Sequence, residues 1–266
     1  MSPVHHAADR SHLAAHPRFP RASGYHPDWV FGNNMGPNAL WLMEWLTQVV
    51  PLQPDSRALD MGCGKGITSV FLAEQFDVKV VANDLWIKPT DNWGRFVEAG
   101  CADAIVPIHA EAHSLPYADG YFDCLLSVDA YHYFGTADLY LDYYARFVRP
   151  GGTIGIVVPG LYQEIEEVPD RLSELRDETG KPFWDWDFCS FHSADWWARL
   201  WRRTPRVTSV RADTMEQGGD VFLASEVAKE RHFGIEAESV FVQGLREDAD
   251  RNLTFVRVVA QRAESD

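Results

Sequence analysis

Apolar positions along this 266-residue chain switch between two spacings. Over 39–50, Leu40, Met43, Trp45, Leu46 and Val49 recur at helical intervals. Asn38 is placed to cap that helix, and Pro51 and Pro54 close it. From 57 onward short β-rich runs alternate with helix-spaced stretches. Strands are expected over 57–61, 77–83, 104–108, 122–128 and 153–158. Helices are expected over 66–76, 91–99 and 139–148, the last stopped by Pro150-Gly151-Gly152. Such βα alternation predicts an α/β fold in three layers: a doubly wound, mostly parallel sheet with helices on both faces. Ligands of such sheets sit at the carboxyl ends of the strands, where the strand order reverses.

The remaining segments are less regular. Residues 160–191 are acidic and aromatic without a clean period, and are expected to form a small cap insertion. Residues 192–203 read as a helix with Ser193 as N-cap. Those over 206–212 and 252–261 alternate like strands, and 220–244 reads as partly helical. Residues 1–20 are polar and rich in His and Pro. The expectation is a flexible N-terminal arm over 1–32, followed by one domain over 33–266. His5, His6, His12 and His16 could ligate a metal, but this composition reads as a solvated tail, and no metal is expected.

Composition narrows the function. A net charge of −15 disfavours nucleic acid and anionic membrane surfaces, both of which require basic patches. An apolar fraction of 46% with 10 Trp supports a substantial core. Cys63, Cys101, Cys124 and Cys189 are scattered, without a C-x-x-C pair, as suits a reducing, cytoplasmic setting. No leader pattern is visible, and no apolar run approaches the length of a membrane span.

The strongest local signal is RALDMGCGKGITSVFLA, residues 57–73. A short apolar run ends on Asp60. Gly62, Gly64 and Gly66 follow at alternate positions, then Ile67, Val70, Phe71 and Ala73 at helical spacing. This is a strand, a tight glycine turn and a helix. It lets a ligand approach the main chain and meet the helix N-terminus. A phosphate-binding P-loop fails here: Lys65 is followed by Gly66 rather than Ser or Thr, and position 59 is Leu. The dinucleotide fingerprint G-x-G-x-x-G also misfits, because its third glycine falls one position early, at Gly66.

The pattern D-x-G-x-G-x-G after a strand resembles motif I of the class I S-adenosylmethionine-dependent methyltransferases. The likeness is to bacterial small-molecule enzymes in which N-M-G-P-N, here residues 34–38, precedes the first helix. Some relatives are loosely compared with cyclopropane fatty-acid synthases, although nothing else in this chain supports a lipid acceptor. The resemblance implies a Rossmann-like sheet closed by an antiparallel C-terminal hairpin. It also implies S-adenosylmethionine as methyl donor, with S-adenosylhomocysteine as product, and Asp60 near the donor's ammonium beside the Gly62 and Gly64 turn.

Other segments follow in the order this implies. Asp84 ends the second strand, where an acid can accept both ribose hydroxyls, and Leu85 and Trp86 offer apolar surface to adenine. The segment 111–117, E-A-H-S-L-P-Y, resembles the family's adenine-lining D-A-x-x-L-P-F. It puts Glu111 on the adenine amino group and the Ala112 N–H on a ring nitrogen. The strand end S-V-D-A-Y-H-Y-F, residues 127–134, resembles the family's S…L-H-H segment. Asp129, Tyr131, His132 and Tyr133 are expected around the sulfonium and the acceptor. His132 and His113 are candidate bases and Tyr131 a further catalytic candidate. Many such enzymes work mainly by aligning donor and acceptor.

The function expected is methyl transfer by direct displacement to an O, N or C atom of a small-molecule acceptor. An NAD-linked oxidoreductase and a non-catalytic S-adenosylmethionine-binding regulatory module stand as alternatives. The acceptor, the atom methylated and any homo-oligomer are left unnamed by the sequence.

Overall fold

The computed structural model describes residues 12–249 and 251–264. Among these, seven strands form one sheet in the order β3-β2-β1-β4-β5-β7-β6. They are β1 (Arg57–Met61), β2 (Lys79–Asp84), β3 (Ile105–His109), β4 (Phe122–Val128), β5 (Val148–Leu161), β6 (Val207–Thr214) and β7 (Leu253–Arg262). The first five are parallel, and β7 runs antiparallel between β5 and β6. The expected C-terminal antiparallel pair is therefore present, with helical chain between its strands as expected over 220–244. The order reverses between β1 and β4, which places the switch point at the glycine turn.

Period-2 alternation assigns neighbouring residues to opposite layers. Ala58, Cys124 and Leu126 belong to one buried cluster, Leu59 and Leu125 to the other. The first layer holds α1 (Pro27–Asn33), α2 (Ala39–Thr47), α3 (Ile67–Phe76) and α4 (Pro89–Glu98). The second holds α5 (Tyr140–Ala145), and α7 (Ala194–Trp201) comes after the short α6 (Asp170–Ser173). Helices α8 (Gly218–Phe233) and α9 (Val240–Asp248) connect β6 to β7 and pack with the first layer. The caps read from sequence are present. The Asn38 side chain accepts from the Leu40 and Trp41 amides, and that of Ser193 accepts from Trp196.

Two boundaries differ from the sequence reading. Helix α5 stops at Ala145, and β5 runs from Val148 to Leu161, longer than 153–158 at both ends. Phe122 pairs with Val148 while Cys124 pairs with Thr153, so Pro150-Gly151-Gly152 is extra chain bulged out of one strand. A Pro-Gly-Gly sequence serves a bulge as readily as a helix stop. The described part of the expected arm also departs from a loose tail. Phe19 stacks on Trp41 with centroids 5.9 Å apart, the Trp41 indole donates to the Ala14 carbonyl at 2.9 Å, and the Glu44 carboxylate accepts from the Ala22 amide at 2.8 Å. Phe19, Ala22, Val30 and Phe31 are buried. His16 packs on Phe19 and Trp41, and burial lowers its pKa. His5 and His6 lie outside the described residues.

Candidate functional site

A cavity of about 330 Å³ opens at the carboxyl ends of β1, β2, β3 and β4, within the size range of small-molecule sites. Its floor is the turn after β1. Gly62, Gly64 and Gly66 all have positive φ, at 74°, 54° and 80°. A Cβ on Gly62 would fall 2.3 Å from that of Ala130, and one on Gly66 would fall 2.4 Å from the Phe96 ring. The glycines are thus fixed by both backbone and space. Asn92 ties the turn down by donating to the Gly64 carbonyl at 2.9 Å.

Asp84 sits at the next strand end and lines the cavity. Its Oδ2 accepts from the Gly64 amide at 2.8 Å, and its Oδ1 from the Trp86 and Ile87 amides at 2.7 and 2.9 Å. Three amides fix the carboxylate while leaving lone pairs for ligand hydroxyls. Leu85 and Trp86 line the cavity and are largely exposed, as an aromatic-ligand wall requires. Glu111, Ala112 and His113 come from the loop after β3. Glu111 accepts from the His113 ring at 2.7 Å and from the His113 amide at 2.8 Å, and its pKa is lowered chiefly by that ring contact. His113 therefore belongs to the Glu111 turn, its Nδ1 already engaged.

Three expected contacts are corrected. Asp60 does not line the cavity: it is buried beneath the turn, where the Thr68 and Ser69 hydroxyls each donate to its Oδ2 at 2.6 Å. Its Oδ1 is buried without a hydrogen-bond partner among the described residues, and burial pushes its pKa up to about 6. It braces the turn from below rather than touching a ligand from the side. His132 is 2% exposed and packs on the Tyr133 and Phe191 rings at 4.0 and 5.6 Å, outside the cavity lining. Burial depresses its pKa to about 3, so it is neutral at pH 7. Tyr131 is fully buried in the second layer, against Tyr144, Trp197 and Trp201. The physical reason is local. Asp129 takes φ +54°, and a 3₁₀ turn over Tyr131–Tyr133 follows. That turn directs Tyr131 and His132 inward, and Tyr133 reaches the cavity instead.

The opposite wall is the N-M-G-P-N segment itself, which the sequence marks by resemblance but not as a site. Asn34, Met35 and Gly36 line the cavity. The Asn34 amide donates to the Gly36 carbonyl and, at 2.8 Å, to that of Pro37, while its Oδ1 accepts from the Ala39 amide at 3.0 Å. Met35 lies over Gly64, whose added Cβ would meet its sulfur at 2.9 Å. The signal was the cluster of turn-forming Asn, Gly and Pro just before a cap. In the cap, Trp184 stacks on Phe188 at 4.6 Å and Trp186 is 76% exposed; neither lines the cavity.

The donor set suits S-adenosylmethionine. Carboxylates stand at Asp84 and Glu111, the glycine turn admits close main-chain approach, and no phosphate cradle is needed. Lys65, the cation of the turn, donates to the Gly32 carbonyl at 3.0 Å instead. Among the described residues no helix is long and apolar enough to cross a membrane.

Comparison with known proteins agrees with this geometry. Residues 59–156 match the family model described as a methyltransferase domain. A 116-residue stretch is 30% identical to 27-O-demethylrifamycin SV methyltransferase of Amycolatopsis mediterranei, covering 43% of each chain. A 102-residue stretch is 32% identical to sarcosine/dimethylglycine N-methyltransferase of Halorhodospira halochloris, covering 38% of this chain and 37% of that one. The chain spans less than half the length of these two relatives. Geranyl diphosphate C-methyltransferase from Streptomyces coelicolor A3(2), solved with S-adenosyl-L-homocysteine, shares the fold. Its TM-score is 0.62 at 15% identity, over 83% of this chain and 78% of that one.

Proposed function

We propose, from the premise that this chain carries a class I S-adenosylmethionine-dependent methyltransferase domain, that the protein methylates a small-molecule acceptor. The observation that carries the reading is the pairing of the Gly62–Gly64 turn with Asp84, whose carboxylate is held by the Gly64 amide at 2.8 Å inside one cavity. Bound there, S-adenosylmethionine supplies an electrophilic methyl group on a sulfonium. The protein's part is to bind and orient. Asp84 receives the ribose hydroxyls, Leu85, Trp86 and Ala112 enclose the adenine, and Glu111 offers a carboxylate at its edge. The glycine turn receives the methionine end.

The wall formed by Met35, Gly36 and Tyr133 bounds the acceptor side. It supplies mainly shape, as expected where alignment of donor and acceptor lowers the barrier. The acidic surface and four free cysteines support a small-molecule acceptor, rather than nucleic acid, in a reducing compartment. Calorimetric titration with S-adenosylmethionine, S-adenosylhomocysteine and NADH tests the reading. The first two are expected to bind and the third not; NADH binding alone would overturn it.

A further inference from the structure

Two consecutive residues at the end of β4 face different partners. Ala130 packs on the donor side, against Gly62. Asp129 turns the other way. Its Oδ2 would lie 2.1 Å from a Cβ on Gly36, and its charge is felt by Glu226 and Lys229 of α8. Asp129 reaches this direction through the left-handed backbone conformation, which is uncommon for a side chain other than Gly, Asn or Asp and is often retained at functional sites. Its carboxylate lines the cavity. Lys229 is already paired with Glu226, so two carboxyl groups share one cation. Tyr133 and Trp86 line the same cavity with centroids 6.0 Å apart, 48% and 70% exposed. A carboxylate short of a cation, beside two open aromatic faces, suits an ammonium group.

We infer that Asp129 is the acceptor-side acid of this site: it binds a cationic amine and takes its proton before methyl transfer. The inference rests on the proposed methyltransferase function and assigns Asp129 to the acceptor rather than to the sulfonium. The ammonium N–H bond breaks, its electron pair stays on nitrogen, and the proton passes to the Asp129 carboxylate. The nitrogen pair then forms the N–C bond to the methyl carbon while the C–S bond breaks. The C–S pair goes to sulfur, leaving a neutral thioether and a methylated ammonium. Burial, with the Glu226 charge adding to it, raises Asp129 to about 8, so the carboxyl is a stronger base than an ordinary aspartate.

The test compares wild type with Asp129→Asn, chosen because Asn tolerates the left-handed conformation. Calorimetry should give S-adenosylmethionine and S-adenosylhomocysteine affinities within about threefold of wild type. Equal weakening of both by tenfold or more would put Asp129 on the donor's ammonium, and weakening of the first alone would put it on the sulfonium; either overturns the inference. Turnover is read as S-adenosylhomocysteine release with benzylamine and N-methylbenzylamine, against benzyl alcohol and phenol. The amines should be turned over and the oxygen acceptors not. In the wild type, kcat/KM should rise with pH through an acid limb near 8, and Asp129→Asn should lose that limb with a fall of 100-fold or more. Turnover of the oxygen acceptors alone, or of neither amine, overturns the amine assignment while leaving donor binding intact. Failure of the wild type to bind S-adenosylmethionine would remove the proposed function itself.

Discussion

Gly36 and Asp129 meet across the cavity so closely that a methyl group on Gly36 would lie 2.1 Å from Asp129 Oδ2. The contact joins a turn before α2 to the end of β4, 93 positions later in the chain by their numbers (129 − 36). It makes glycine at position 36 a spatial requirement of the acid opposite, because its own backbone φ is not positive. Gly36→Ala should therefore displace either the turn or Asp129. Overpacking of this kind costs roughly 1–3 kcal/mol, a melting temperature lower by about 2–10 °C. Methyl transfer should fall at least tenfold, with S-adenosylmethionine affinity changed less. Calorimetry and turnover on the same preparation check both.

His132 is predicted to be dispensable for chemistry. His132→Phe keeps a ring against Tyr133 and Phe191 and should retain turnover within about threefold of wild type. It should also alter the pH dependence of stability. The folded His132 pKa is about 3, against 6.5 for an unperturbed histidine. Between those values the unfolded chain binds more protons, so this residue makes stability rise with pH across that window and fall as the solution is acidified. Its contribution reaches about 1.4 kcal/mol per pH unit inside the window. Denaturant unfolding from pH 6.5 downward should give a shallower loss for His132→Phe.

Tyr133 and Trp186 separate the cavity wall from the outer cap. Tyr133→Ala removes a lining ring and should raise acceptor KM several-fold while S-adenosylmethionine affinity holds. Trp186→Ala removes an exposed ring that lines no part of the cavity. It should leave both within twofold, with stability changed by less than about 0.5 kcal/mol. Steady-state kinetics on the two variants, side by side, checks the distinction.

What the sequence disclosed depended on how local each signal was. The glycine turn, Asp84 after β2 and the Glu111 loop were legible because each is a short pattern at the end of a strand. The Asn38 and Ser193 caps were legible for the same reason. The roles of Tyr131 and His132 were not. Which of three consecutive aromatic side chains enters the cavity depends on the positive φ at Asp129 and on the turn after it, and several residue types fit either outcome. The Pro-Gly-Gly bulge hid half of β5 because pairing with Phe122, not local propensity, makes Val148 a strand residue. The packing of Phe19 on Trp41 was hidden too: residues 12–20 have no period of their own, and Phe19 is held by the helix it covers.

The most direct test of the central claim, that the cavity over the Gly62–Gly64 turn holds S-adenosylmethionine by way of Asp84, is the calorimetric affinity of Asp84→Ala. On the proposed reading Asp84 offers its carboxylate to two ribose hydroxyls, and hydrogen bonds to a charged group contribute about 1.5–3 kcal/mol each. The account predicts an affinity lower by about 100-fold or more than in the wild type, with the folded state confirmed by circular dichroism. An unchanged affinity in the folded variant would contradict it.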